Sequence, residues 1–135
     1  MNDNQAAGGC LCGAVSFIIQ LPVERLIHCH CSRCRKATGG AHATNIFVRP
    51  EAFEWKQGEK QVARWDLAKA KSFAIAHCTI CGCQMPHVTR DGTFMVIPAG
   101  SIESEIPKLS RDDIYIKDAP SWSCLTGTFG LDQTA

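Results

Sequence analysis

His28-Cys29-His30-Cys31-Ser32-Arg33-Cys34 is the stretch on which the rest of the chain turns, and Arg35, Lys36 and the break Thr38-Gly39-Gly40 follow directly. Three thiols lie within six residues, interleaved with two imidazoles and flanked by three fixed positive charges. Zinc takes sulfur and nitrogen ligands in a tetrahedron, and this run offers three or more from one short piece of backbone. Ser32 is a candidate N-cap, with Arg33 to Thr38 making a turn or two of helix that Gly39 closes. Such a helix sets Cys31 and Cys34 side by side at i and i+3, and its N-terminus favours their thiolate forms. Structural zinc sites fill all four positions with protein ligands, whereas catalytic sites keep one for water or substrate. Cys29, Cys31 and Cys34 are therefore expected to hold an open or exchangeable metal. The alternative is a second structural site closed by His28, His30 or a distant residue.

The surroundings of this stretch are those of an ordinary globular protein. A chain of 135 residues, 45% hydrophobic and 20% charged, makes one domain spanning 1–135. A net charge of +1 gives no general pull toward nucleic acid or an acidic membrane surface. No apolar run approaches the roughly 20 residues a membrane-spanning helix requires. The opening Met1-Asn2-Asp3-Asn4-Gln5 lacks the positive and apolar parts of a secretory signal, so a cytoplasmic location is expected. Nine cysteines are the outlier. An odd number at short spacings in a reducing compartment points to metal ligands rather than disulfides.

Taken in order, Gly8-Gly9-Cys10-Leu11-Cys12-Gly13 offers two thiols at i and i+2, on one face of an extended segment, with glycines that let the backbone wrap closely. Ala14 to Gln20 alternates, with Val15, Phe17 and Ile19 on one side, and reads as a strand ended by Leu21-Pro22. Residues 26–31 are extended, and Ala43–Val48, Ala52–Gln57, Val62–Asp66 and Ser72–Cys78 are further strands, with Leu67–Lys71 as a helical turn or a polar loop. Asp91-Gly92 signals a hairpin between Val88 and a strand Phe94–Pro98. Ile114–Lys117 reads as a last strand, with a loosely ordered tail from Thr126. The expected class is mainly β with one or two short helices.

Cys78-Thr79-Ile80-Cys81-Gly82 is a zinc knuckle: two thiols three apart on a tight turn, then glycine where positive φ is easiest. It is half a site, and Cys10 with Cys12 is the matching pair, which would staple the start of the chain to its middle. Cys83 and Cys124 have no partner spacing and are expected as buried small residues. Trp55 and Trp65 are expected on core-facing strand faces. Trp122, in a loop-like segment, is a candidate pocket residue, and His42, His77 and His87 are expected to pack ordinarily.

Gly9-Cys10-x-Cys12-Gly13, His28-Cys29-His30-Cys31-x-x-Cys34-Arg35-Lys36-x-Thr38-Gly39 and Cys78-x-x-Cys81-Gly82 with Pro86 together resemble the glutathione-dependent formaldehyde-activating enzyme family, which includes the related domain of centromere protein V. The resemblance runs from about Gly8 to Trp122 and takes in Ile97-Pro98-Ala99-Gly100-Ser101 and Ile114-Tyr115-Ile116. It implies small coiled antiparallel sheets around zinc, a β-tent. It also implies structural zinc on Cys10, Cys12, Cys78 and Cys81, and a catalytic-type zinc on Cys29, Cys31 and Cys34. The implied activity condenses glutathione with formaldehyde to S-hydroxymethylglutathione, a carbon–sulfur lyase reaction in reverse. Gln84-Met85, beside the extra Cys83, departs from the small residues expected there.

An open three-thiolate zinc suits a thiol substrate, or an aldehyde oxygen polarised by a Lewis acid. Arg33, Arg35 or Lys36 would hold a glutathione carboxylate, and His28 and His30 are candidate bases by position alone. The partners expected are small thiols and aldehydes. The rival reading is a non-catalytic module that binds zinc, thiols or a protein partner. Oligomeric state is not legible.

Overall fold

The computed structural model describes residues 3–123 and is mainly β. In chain order the elements are β1 (Gln5–Gly9), β2 (Ser16–Gln20), β3 (Arg25–Cys29), α1 (Ser32–Thr38), β4 (Ala43–Val48) and β5 (Phe53–Gln57). They continue with β6 (Val62–Asp66), β7 (Ala74–Cys78), β8 (His87–Val88), β9 (Met95–Pro98) and β10 (Arg111–Ile114), with four short 3-10 turns between elements. Three small sheets result: β1-β2-β5, β10-β3-β4-β9-β8 and β6-β7. Every pairing is antiparallel except β10 on β3, which is parallel.

The five-stranded sheet organises the molecule because its two faces have different jobs. Residues paired across neighbouring strands share a face, and side chains alternate along each strand. Leu26 pairs with Ile46, and Ile46 with Ile97. This face packs against Ala6, Phe17 and Ile19 of the three-stranded sheet, forming the main core with Val23, Val48 and Met95. Burying an aliphatic side chain such as Ile46 or Ile97 fully is worth about 1.5–3 kcal/mol, so the core fixes the register of β3 and β4. The other face carries Ile27, Cys29, Ala43, Asn45 and Phe47 and lines a cavity. A one-residue slip of β3 would send Cys29 into the core and Leu26 into the cavity.

A second, smaller core gathers Cys10, Val15, Cys78 and Met85, where the β1–β2 turn meets the end of β7. Trp55 packs against both cores, half-buried. Trp65 does not join either: it is 54% exposed, because β6 pairs only with β7 and its outer face has no layer above it.

Several boundaries differ from the sequence reading, each for a local reason. β1 was not expected from Gln5-Ala6-Ala7-Gly8-Gly9, whose small residues carry little alternation. Here it pairs along its length with β2, and Gly8 is required because an added Cβ would lie 2.5 Å from the Phe17 ring and 2.6 Å from the Ser101 carbonyl. Ser72–Cys78 narrows to Ala74–Cys78 and Ala52–Gln57 to Phe53–Gln57, since Pro50–Ala52 forms a 3-10 turn with proline in its first turn. Phe94–Pro98 likewise starts one residue later, at Met95. Leu67–Lys71 is a loop closed by the Leu67 N–H donating to the Phe73 carbonyl at 3.1 Å. The last strand is Arg111–Ile114 rather than Ile114–Lys117, because parallel pairing to β3 ends at Ile114–Cys29 and Tyr115 turns into the left-handed region at φ 57°. The tail from Thr126 and Cys124 lie outside the described residues.

Candidate metal and substrate site

Two separate thiol clusters form, with the memberships read from the sequence. Cys10, Cys12, Cys78 and Cys81 bring their sulfurs within 4.8 Å of one another, and so do Cys29, Cys31 and Cys34.

The four-thiol cluster is built from two turns of the same kind. The Gly13 N–H donates to the Cys10 carbonyl at 3.2 Å and the Gly82 N–H to the Cys78 carbonyl at 2.8 Å. Both glycines sit at positive φ, 81° and 80°, the conformation that lets each turn close behind its cysteines. The Val15 N–H points at the Cys10 sulfur at 3.3 Å, a bond that strengthens when the sulfur is negative. Cys10 and Cys12 sulfurs stand 3.6 Å apart, and those of Cys12 and Cys78 stand 3.8 Å apart. Zinc–sulfur bonds of about 2.3 Å arranged tetrahedrally require sulfurs about 3.8 Å apart, so these residues fit zinc. The thiols also share their protons unequally. Backbone N–H groups of Cys83 and Cys12 push Cys81 down to about 6. The Ala14 backbone bond lowers Cys12, but partial desolvation and the neighbouring thiols of Cys10, Cys81 and Cys78 together raise it to about 12.

The three-thiol cluster sits where β3 runs into α1. Cys29 ends β3, paired to Ala43 on one side and Ile114 on the other, and is 8% exposed. Cys31, not Ser32, caps the helix. Its backbone is extended (φ −68°, ψ 158°), and its sulfur accepts the Cys34 N–H at 3.4 Å, the role a serine hydroxyl was expected to play. At seven residues α1 is too short to be stable alone. Gly39 caps its C-terminus at φ 73°, and the Gln84 side-chain amide donates to the Ala37 carbonyl at 2.7 Å. That bond gives Gln84 a purpose in tying the knuckle to α1, and Met85, 1% exposed, fills the second core. The hydrogen bond from the Cys34 thiol holds Cys29 down at about 6 against the opposing effect of its burial, and the donor Cys34 is correspondingly raised. Among the described residues no fourth Cys, His, Asp or Glu joins this group.

The thiols border a cavity of about 620 Å³, within the range that holds a small-molecule ligand. Its wall is mostly apolar, with Phe47, Phe73 and Val96, and carries basic Arg33 and Lys71. His87, also on the wall, is held down to about 4 by burial and by the nearby Arg64. The three basic residues read as one group divide: Arg33 faces this cavity, while Arg35 and Lys36 border a separate hollow of about 250 Å³ with Trp122. Trp122 is 68% exposed. Cys83 is half-buried rather than buried: beside the knuckle turn its thiol stands next to Cys81, which raises it.

His28 and His30 do not reach the thiols' side. Strand alternation turns them to the opposite face of β3, where they meet Asp113 and His42. They neither close the three-thiol group nor serve the cavity as bases. The Asp113 carboxylate was the residue sequence reasoning missed, whereas His42 packs as expected, stacked on the His28 ring. The signal was the register of β10, which the expected strand Ile114–Lys117 had displaced.

The model of the glutathione-dependent formaldehyde-activating enzyme family matches residues 5–118, and the chain belongs to that family. Three solved chains match. One, the crystal structure of a Rhodobacter sphaeroides protein, superposes with a TM-score of 0.57 at 21% identity, covering 75% of this chain and 91% of that one, a likeness of fold. No curated protein matches the sequence. Among the described residues no helix is long and apolar enough to cross a membrane.

Proposed function

We propose that this protein catalyses thiol–aldehyde chemistry of the carbon–sulfur lyase type, joining glutathione to formaldehyde or cleaving the adduct. The site is the cavity bordered by Cys29, Cys31 and Cys34. The observation that carries this reading is a three-thiol group, without a fourth ligand among the described residues, opening onto a cavity of ligand size. Its donor set fits zinc with one position open, and zinc bound there would favour a substrate thiol in its thiolate form or polarise an aldehyde oxygen. Cys10, Cys12, Cys78 and Cys81 would hold a closed, structural zinc, and the domain spans 1–135.

The remaining work falls to the chain's own side chains. Arg33 and Lys71 present positive charge at the cavity wall, where a glutathione carboxylate would bind; of the two, Arg33 offers the bidentate geometry. Phe47, Phe73 and Val96 exclude water from the reacting sulfur and carbon. Addition of a thiol to formaldehyde needs little more than this positioning, so the absence of an imidazole on this face among the described residues that line it, apart from His87, is no obstacle. Arg35, Lys36 and Trp122 form a second, weaker candidate contact at their separate hollow. A cytoplasmic setting, rich in glutathione and reducing, suits both the thiols and the substrate.

The test is NMR exchange between free glutathione and its formaldehyde adduct at equilibrium. Exchange faster than the uncatalysed rate, lost in Cys34→Ser while zinc stays on the other cluster, supports the reading. An unchanged exchange rate with both clusters filled moves the protein to the non-catalytic alternative.

A further inference from the structure

The face of the five-stranded sheet that carries the main core does not end in apolar residues. Beyond Leu26 and Ile46 it continues as His28, His30, Thr44 and Asp113, and the register explains why. His28 pairs with Thr44 on β4 and with Asp113 on β10, so the three share a face, and His30 lies one step further along the same face. His42 stacks on His28 with ring centroids 4.2 Å apart and stands 5.0 Å from His30. Three imidazoles and a carboxylate thus gather at one end of the core, behind the sheet from the thiols.

The hydrogen bonds of this cluster, including that between Thr44 Oγ1 and His42 Nδ1 at 3.1 Å, leave one buried ring nitrogen unpartnered. His30 is fully buried, with its Nε2 2.8 Å from Asp113 Oδ1, while its Nδ1 is buried and has no partner. His28 Nδ1 is 3.8 Å from the same Asp113 oxygen, too far for a hydrogen bond and close enough to share an ion. The other carboxylate oxygen is taken by Arg111 Nε at 3.0 Å, which orients Asp113 and leaves Oδ1 toward the rings. The donor atoms of His28, His30 and Asp113 all lie within 4.8 Å of one another. Metal–ligand bonds of about 2.1 Å place neighbouring donors about 3.0 Å apart at right angles and about 3.4 Å apart in a tetrahedron, values that the 2.8 and 3.8 Å separations bracket. The His28 and Asp113 side chains are 16% and 19% exposed, enough to admit an ion with water on its outer side.

We infer that His28, His30 and Asp113 form a third metal site, for a divalent transition ion of borderline character held by two imidazoles and one carboxylate. Alternation along β3 then gives one strand two metal-binding faces, thiolate on one and imidazole on the other. The ion's role is to clamp β10 to β3 across the 83 residues that separate Asp113 from His30. Ile114 and Tyr115, which follow Asp113, line the cavity, so the clamp fixes part of its rim from behind.

The test uses cobalt on intact protein loaded with two zinc equivalents per chain, enough to fill the two thiol clusters, which as thiolates outcompete an imidazole and carboxylate site for zinc, and freed of excess metal. Both metals are counted by elemental analysis, and the absorption spectrum is recorded. The site predicts one cobalt per chain with zinc unchanged and without sulfur-to-cobalt charge-transfer absorption. His28→Gln and Asp113→Asn should each weaken cobalt binding at least tenfold while keeping their zinc, which also shows that they fold. Failure to retain cobalt, retention unaffected by both substitutions, or cobalt that displaces zinc and shows the sulfur band would each overturn the inference. None of these outcomes bears on catalysis at the thiol cavity.

Discussion

Replacing Cys78 by serine should separate the two thiol clusters energetically, because zinc bound on each would cross-link very different lengths of chain. Cys12 and Cys78 are 66 residues apart, and their sulfurs meet at 3.8 Å. Closing a loop of that length removes unfolded-state entropy worth about 4 kcal/mol by the chain-entropy relation for a covalent cross-link. Cys29 and Cys34 close only five residues, and the same relation gives about 2 kcal/mol. Against a total stability on the order of 5–15 kcal/mol, Cys78→Ser should cost the protein much of its folding free energy, and Cys34→Ser roughly half as much. A serine at the fully buried position 78 adds its own desolvation cost. Zinc-stripped wild-type protein, which has no such serine, is the control that isolates the metal's share. The assay is urea denaturation with zinc counted before and after, comparing ΔG and m among the three proteins. Equal losses from the two substitutions, or a larger loss from Cys34→Ser, would refute the assignment of the four-thiol cluster as the fold's staple.

Other outcomes follow from the same geometry. His87 titrates near 4 in the folded protein against an ordinary 6.5, so between those values the unfolded chain takes a proton that the folded imidazole refuses. Stability therefore falls as pH drops through that window, by up to about 3 kcal/mol, and His87→Gln should lose this part of the acid sensitivity in pH-dependent denaturation; identical profiles would contradict it. Gly8→Ala drives a methyl group into the Phe17 ring and the Ser101 carbonyl and should lower stability by about 2 kcal/mol, read as a drop in Tm. Arg33→Ala should raise KM for glutathione about tenfold, the value of one charge-assisted hydrogen bond, with kcat little changed. Lys36→Ala, which borders the other hollow, should leave KM nearly unaltered.

The thiol groupings were legible because the turns that gather these cysteines are written in local spacing. Cys78-x-x-Cys81-Gly82 and Cys10-x-Cys12-Gly13 each make a turn whose glycine takes a positive φ, and only another such pair completes a four-thiol site. Strands with clear alternation, such as Ala43–Val48 and the expected Ala14–Gln20, which narrows to Ser16–Gln20, were readable for the same reason that they are stable: one face is buried in the core. Less visible was whatever depends on which strand lies beside which. β1 has small residues and forms because β2 offers an edge. β10 is set by parallel pairing to β3, a long-range contact with no local signature, and misplacing it hid Asp113 from His28 and His30. Nor does spacing say that Arg33 faces the cavity while Arg35 and Lys36 face elsewhere, since that depends on the angle at which a seven-residue helix is docked.

The division into one closed and one open zinc is the claim on which the functional reading stands, and metal content tests it most directly. Zinc would be counted by elemental analysis before and after dialysis against millimolar glutathione, in wild-type protein and in Cys29→Ser, with the imidazole and carboxylate cluster disabled by Asp113→Asn in both. The account predicts two zincs falling to one in the presence of the thiol, and one zinc throughout in Cys29→Ser. Two zincs that remain whatever thiol is supplied would contradict it, because the second metal would then be as closed as the first.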